Sequence, residues 1–351
     1  MNPQKAIAAF CDAALSPARW SDALDTVAEA CDARYVTVVG AGPEGSLTCS
    51  RASADVIDLY LHRREVPDSR HRRVQPSLHE GFRTDFDDFT PREIAADPYY
   101  QEFLASVDVA WHAVAALPGL HGPLVLSLKR ARRQGPFERH DIDQFNRMLP
   151  ALRRAARTAA ALGQTRIDGE LAAFAHLRRG AIWVDADARI LGCNDCVRFG
   201  DGLTDEGRHL GAARAADRDA LRRAVAVAFA AGGAEAPVVV QRPRGGRPLV
   251  VDVIGLPAGD LASPGGRCVL VLVNDPDTGR LPSADLLQRA CGLAPREAGL
   301  ALELAHGRSL REAADALGIS EQHARQRLKV VFAKTGTARQ SELVLLLARL
   351  A

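Results

Sequence analysis

The chain has 351 residues, 47% of them apolar and 25% charged, and a formal net charge of +2. At roughly 100–200 residues per domain this predicts two or three domains, and the composition excludes a disordered tail, a collagen and a coiled-coil rod. No apolar run approaches the roughly 18–20 residues of a membrane span, no signal-peptide block opens the chain, and seven scattered cysteines do not make a secreted disulfide scaffold, so a cytoplasmic protein without membrane contact is expected.

Only four of the 45 basic residues are lysine: Lys5, Lys129, Lys329 and Lys334. The arginine and alanine excess reads as GC-rich coding and a bacterial source. Arginine number by itself therefore says little about function.

Apolar residues three and four apart predict helices over 6–15 and 21–31, the second capped by Ser21. A β-branched run over 35–39 ends in a Gly-Ala-Gly-Pro turn at 40–43, with 46–51 as partner strand and a helix over 55–64. Residues 66–89 are polar and irregular. Arg70, His71, Arg72 and Arg73 in their middle read as a solvated loop before they read as a grip for an anion. Short helices are expected over 91–96 and 99–107, strands over 113–117 and 124–128, and one long helix over 137–162. Phe137, Ile142, Phe145, Leu149, Leu152, Ala156 and Ala159 share a face of it. Trp111, Tyr99 and Tyr100 either line a pocket or fill the core, the commoner fate of an aromatic near a strand.

Residues 164–169 read as a joint. Beyond it, strands over 181–184 and 189–194 flank an Asp-Ala-Asp turn, two helical segments follow (the clearer over 218–231), and strands over 237–242, 248–256 and 267–273 close the unit. Ile182, Val184, Val239, Val251, Val253, Leu270 and Leu272 are expected on one face, lining a pocket or a packed core. His176 and His209 are the only histidines between 170 and 276, and Cys196 lacks the setting of a flavin-binding photosensor. No haem, flavin or other cofactor is expected. Cys193 and Cys196 form a lone CxxC with no second pair for zinc, and chance is the simpler reading than redox chemistry. Residues 274–279 are turn chemistry and a linker.

From 283 onward there is no strand signal. Helices are expected over 295–305, from a capping box at Ser309 and Glu312 to Leu317, over 321–334 after Ser320, and over 340–350. Leu343, Leu346, Leu347 and Leu350 share a face of the last. Ala313, Ala314, Leu317, Gly318, Ile319, Ala324 and Leu328 have helix-turn-helix spacing, small residues letting two helices cross and glycine making the turn. The helix after the turn shows Gln322, Arg325, Gln326 and Lys329 on its outer side, with His323 and Arg327 flanking. Arginine and glutamine pair bidentately with guanine and adenine edges, and lysine reaches base or phosphate.

LAPRE at 293–297, LREAADALGIS at 310–320, ARQRLK at 324–329 and KTGT at 334–337 together resemble the LuxR/FixJ-type DNA-binding domain. Ala294, where that family usually has Ser or Thr, and His323, where Thr is frequent, depart from it. GAIWVD at 180–185, RILGCN at 189–194 and the three terminal strands resemble a PAS domain, and residues 1–163 look like a GAF-like sensor. The fold these resemblances imply is multidomain: two α+β sensor domains with antiparallel sheets and helices, GAF-like over 1–163 and PAS-like over 170–276, then an all-α four-helix helix-turn-helix domain over 283–351.

The function implied is a sequence-specific transcription regulator controlled by N-terminal sensing, with double-stranded DNA and a second copy of the chain as partners. RNA polymerase and a small-molecule ligand stay open. The expected DNA-contacting residues are Ser309, Arg311, Ser320, Gln322, His323, Arg325, Gln326, Arg327, Lys329 and Lys334. The long helix and the last one offer leucine-rich and alanine-rich stripes for a dimer or for their own cores. No receiver-type aspartate pattern, nucleotide-binding loop or hydrolase motif is present, so no enzyme is expected. The alternative is a protein-interaction regulator that keeps the helical bundle and no longer binds DNA.

Overall fold

The structure is a computed structural model and describes residues 2–40, 47–56, 59, 68–74, 77, 79–120, 122–234, 236–255, 268–278 and 281–350. Most of the expected helix over 55–64 and turn over 40–43 lies outside these residues. The chain divides into two units, Met1–Asn274 and Asp275–Ala351. The first is mixed α/β with antiparallel sheets and the second is helical.

In the first unit, α1 (Pro3–Leu15) and α2 (Trp20–Ala30) precede β1 (Tyr35–Gly40) and β2 (Leu47–Cys49). Short elements follow: α3 (Arg70–Arg73), β3 (Arg83–Thr84), α4 (Asp85–Asp88), α5 (Pro91–Ala96) and a π-helical turn over Tyr99–Leu104. The hairpin β4 (Trp111–Pro118) and β5 (Pro123–Arg130) completes an antiparallel sheet of order β2-β1-β5-β4-β3. Strand alternation divides its residues. Val36, Val38, Ala113, Ala115, Leu126 and Leu128 face a core shared with α1, α2 and the next helix. The opposite parity carries Tyr35, Thr37, Ser127, Lys129 and His112. Tyr99, Tyr100 and Phe103 are buried in an aromatic cluster with Tyr35 and Phe89, so the tyrosine pair is packed core.

The helix expected to stop at 162 does not stop: α6 runs over Arg139–His176, 38 residues, through Pro150 and through the supposed joint at 164–169. Its buried positions explain why. Phe145, Leu149, Leu152, Ala156 and Ala159 are spaced four and three apart against the first sheet. Gly163, Ile167 and Leu171 then follow at intervals of four, and Ile167 and Leu171 join a second cluster with Trp183 and Leu270. The change in spacing rotates the buried stripe from one sheet to the other.

The second sheet is built from β6 (Gly180–Val184), β7 (Ile190–Cys193), β10 (Gly233–Ala234), β11 (Val238–Val240), β12 (Leu249–Gly255) and β13 (Val269–Asn274), in the order β10-β12-β13-β6-β7, with β11 also on β12. Counted within itself, each sheet places its first strand between its second and its last. This topological repeat has no counterpart in residue identity. Between β7 and α7 (Ala215–Ala231) the chain forms the hairpin β8 (Leu203–Asp205) and β9 (Leu210–Ala212), where a helical segment was expected. Gly200, Gly202 and Gly207 take positive φ there, which a helix does not accommodate.

The single face expected for seven strand residues is corrected at three. Ile182, Val184, Val251 and Val253 are buried with Val238 and Val240 under α7, but Val239 is 49% exposed. Leu270 and Leu272 pair with Trp183 and Ala181 in the β13–β6 register and face α6, while Val269 and Val271 face α7. A one-residue parity error exchanges the faces. His176 and His209 are both exposed.

The second unit has α8 (Ala284–Cys291), capped by Ser283, ahead of the four expected helices: α9 (Pro295–Ala305), α10 (Leu310–Ala316), α11 (Glu321–Thr335) and α12 (Gln340–Arg349). Leu343 and Leu347 are buried in its core and Leu350 packs against it. The apolar stripes of α6 and α12 are thus used largely inside their own units. Among the described residues no helix is long and apolar enough to cross a membrane.

Candidate nucleic-acid interface

Local chemistry fixes α10 and α11. Ser309 Oγ accepts from the Glu312 amide at 3.3 Å, and Glu312 Oε2 accepts from the Ser309 amide at 2.8 Å. The Ser309 amide first, then the Ser309 hydroxyl, which also donates to Oε2 at 2.8 Å, hold the Glu312 carboxyl below the usual range. Four residues then turn the chain. Gly318 adopts φ +65°, and the Ile319 amide returns to the Ala314 carbonyl at 3.0 Å. Ser320 Oγ accepts from the His323 amide at 3.2 Å and starts α11. The helices cross on alanine: Ala313, Ala314 and Ala324 are at most 1% exposed.

At roughly 100° per residue, α11 has three distinct sides. Ala324, Leu328 and Val331 are buried in the bundle. Gln322, Arg325, Gln326 and Lys329 lie in an arc of about 100° opposite them, and all four are exposed. Gln322, Gln326 and Lys329 make no hydrogen bond or ion pair among the described residues. Arg325 pairs with Glu321 at 2.8 Å one turn back, an exposed contact worth little in water and readily exchanged for a phosphate or base. The His323 and Arg311 side chains are exposed and likewise make no pair among the described residues.

The flank of α11 has a different job. Lys334 Nζ binds Glu297 Oε2 at 2.7 Å, and Arg327 Nη1 donates to the Arg296 carbonyl at 3.4 Å. Both contacts tie α11 to the start of α9, and the Lys334 bond is the first cause of the lowered Glu297 carboxyl. Of the ten sequence candidates, Arg327 and Lys334 therefore brace the bundle, Ser309 and Ser320 cap helices, and the other six stand free or in an exchangeable pair. Sequence reasoning missed Arg296 and Glu297 as brace partners. The signal available was an acid within the first turn of α9, complementary to the basic run on α11.

Ala294 is the N-cap of α9 and has no side-chain acceptor, yet Glu297 Oε2 accepts its amide at 2.7 Å. Half of a capping box is present. Ala294→Ser should complete it and raise the stability of the helical unit by about 1 kcal/mol, read from the far-ultraviolet unfolding curve. An unchanged midpoint would count against this account of the helix start.

The remaining sequence candidates do not assemble into a second site of their own. Cys193 and Cys196 are both free, and burial first of all holds the Cys193 thiol above its usual pKa, the reverse of a reactive thiolate. Arg70 is committed to Asp68 at 3.1 Å and Tyr99 at 2.8 Å, and Arg73 to Glu93 at 2.8 Å.

No protein-family model matches the chain, and no curated protein matches it. The solved structures to which it is similar include LuxR-type receptors. The complex of phage VqmA with DPO is 19% identical, with a TM-score of 0.26, over 52% of this chain and 88% of that one. The Vibrio cholerae VqmA dimer without target DNA is 16% identical, with a TM-score of 0.22, over 51% and 85%. SdiA in complex with octanoyl-rac-glycerol is 11% identical, with a TM-score of 0.30, over 94% and 86%. At these TM-scores no shared fold follows.

Proposed function

We propose that the chain is a bacterial, cytoplasmic, sequence-specific DNA-binding transcription regulator. Its helical unit would be a LuxR-type helix-turn-helix domain with α11 as the reading helix, and residues 1–163 and 170–276 would be GAF-like and PAS-like sensors. The observation that carries this is the outward stripe of Gln322, Arg325, Gln326 and Lys329. Its one pairing among the described residues is the exposed Arg325–Glu321 contact, and it lies opposite a buried Ala324–Leu328–Val331 seam, on a helix whose approach is set by the Gly318 turn. A solvated helix needs neither the turn nor the braced flank. For the sensors, the support is the strand order common to both sheets, in which the first strand lies between the second and the last. A helix-turn-helix reads only a few base pairs, so two copies on paired half-sites are the working form.

The test is a gel shift at several salt concentrations with DNA from upstream of the protein's own gene. Arg325→Ala should cost about 1–3 kcal/mol on the specific site if the guanidinium reads a base edge. Replacing Arg325, Gln326 and Lys329 together by alanine should abolish specific binding and flatten the salt dependence. Undiminished affinity of that triple variant for every DNA tried would overturn the proposal and favour a protein partner for this face.

A further inference from the structure

The second face of the first sheet sets polar residues beside its packed aromatic cluster. Lys129 on β5 stands directly opposite His112 on β4 and Tyr35 on β1, and Thr37 on β1 stands opposite Ser127 on β5. Opposed residues share a face with Cβ atoms about 5 Å apart. Thr37, Ser127 and His112 are all buried. Lys129 Nζ donates to Thr37 Oγ1 at 2.7 Å and to Ser127 Oγ at 3.1 Å, and no carboxylate pairs with it among the described residues. An ammonium has three protons, so one donor is unused. Burial first, then the nearby Arg70, holds this amine down to about 7, with Asp68 and Cys49 the other charged or titratable groups acting on it. The carboxylate that acts on it, Asp68, is already paired with Arg70, so the positive form has no counter-ion of its own among the described residues.

His112 supplies the complementary deficit. It is 2% exposed, and its Nδ1 lies against Asp85 Oδ1. Asp85 is fixed in turn: Oδ1 accepts from the Tyr100 hydroxyl at 2.6 Å and Oδ2 from the His112 amide at 2.6 Å. A carboxylate on Nδ1 selects the tautomer with the proton there and leaves Nε2 as an acceptor pointing away from Asp85. Among the described residues, neither buried ring nitrogen makes a well-aligned hydrogen bond, and Nε2 lacks even the close contact that Nδ1 has with Asp85. In the loop that carries Asp68 and Arg70, Ser69 Oγ is a further buried atom without a hydrogen bond. Buried polar atoms are normally satisfied, and these are not.

We propose that this face binds a small hydroxycarboxylate, its carboxylate on Lys129 Nζ and its hydroxyl donating to His112 Nε2. The proposal rests on the sensor reading of residues 1–163 and names the chemistry sensed. The anion gives Lys129 its counter-ion, and the hydroxyl gives the imidazole its donor. A plain carboxylate satisfies only the first atom and an ester only the second.

The chain's four lysines make the site readable. Full-length protein labelled with 13C at the lysine ε-carbon should give four side-chain signals, with Lys129 assigned by its loss in Lys129→Arg. Added 3-hydroxybutyrate should shift the Lys129 signal alone and raise its titration midpoint. Butyrate should need at least tenfold higher concentration, and methyl 3-hydroxybutyrate should do nothing. His112→Phe should make 3-hydroxybutyrate and butyrate equivalent, and the wild-type titration decides the matter if that variant does not fold. An unmoved Lys129 signal, or equal shifts at Lys329 and Lys334, overturns the proposal. A gel shift on the same samples separates the two readings: silent Lys129 with intact DNA binding removes the ligand alone, and a responsive Lys129 without DNA binding removes the regulator alone.

Discussion

Asp141→Ala is expected to lower the stability of the first unit by about 3–5 kcal/mol, the usual cost of breaking a buried ion pair from one side. Arg130 and Asp141 each expose only 6% of their side chains. The guanidinium binds the carboxylate with both terminal nitrogens, at 2.8 and 3.2 Å, and lies over the Phe137 ring at 4.2 Å. Its other donors reach the Asp32 carbonyl at 2.9 Å and the Cys31 carbonyl at 3.3 Å. One side chain thus joins the end of α2, the end of β5 and the start of α6, and removing Asp141 leaves its buried charge only the exposed Asp32 carboxylate at 3.6 Å. Trp20, Trp111 and Trp183 all lie in the first unit, so tryptophan fluorescence during urea unfolding reports this unit and not the helical one. Arg130→Met combined with Asp141→Leu should cost less than the sum of the single changes, because no unpaired charge remains.

The same pair sets an acid limit. Burial alone would raise the Asp141 carboxyl, but hydrogen bonds from Arg130 and the Glu138 amide outweigh it and leave the group below its ordinary value. A carboxylate with a depressed folded-state pKa contributes stability above its unfolded value, near 3.9, and loses that contribution as pH falls through the folded one. Stability of the first unit should therefore fall below about pH 4–5, and this component should be missing in Asp141→Ala. A wild-type and a variant with parallel acid profiles would show that other carboxylates set the limit.

The helical unit was the legible part of the sequence, because its signals are local. Ser309 and Glu312, Gly318 and Ser320 each act within four residues of chain, and all four do in the structure what their types require. The outward stripe on α11 followed from periodicity alone. What periodicity could not supply was the difference between Lys329, which is free, and Lys334, whose partner Glu297 is 37 residues away. The sheets show the same division. The longer strands were readable from β-branched runs, while β3, β8, β9 and β10 were not, and β11 and β13 were misassigned by parity, since a short run of consecutive valines and leucines has no polar residue to say which side is out. The joint at 164–169 was misread for a related reason: Gln164, Thr165, Arg166, Asp168 and Gly169 look like a linker, and only Ile167 between them is fully buried. On the first sheet, Thr37 lay in an expected strand but His112 and Lys129 fell just outside those expected over 113–117 and 124–128, and which face the three shared depended on a register that only the pairing reveals.

Trp183→Ala tests what the unbroken α6 does. Trp183 is fully buried, and its indole nitrogen has no hydrogen-bond partner, so its contribution is packing alone. It joins Ile167, Leu171 and Leu270 in the small cluster that fastens the later turns of α6 to the second sheet. Gly192 on β7 permits the approach: a Cβ there would lie 2.9 Å from the Leu171 side chain. Truncating a buried tryptophan costs about 3–5 kcal/mol, since transfer energy is lost and a cavity remains. The earlier turns of α6 rest on a different core, through Phe145, Leu149, Leu152 and Ala156. The loss should therefore be local before it is global: amide exchange should quicken over 164–176 while 145–159 stays protected. If α6 instead loosens evenly along its length, the helix is one cooperative rod rather than two docked halves. In that case a change at the face holding Lys129 and His112 would reach the second sheet through the whole helix, and the cluster around Trp183 would have no separate role in passing it on.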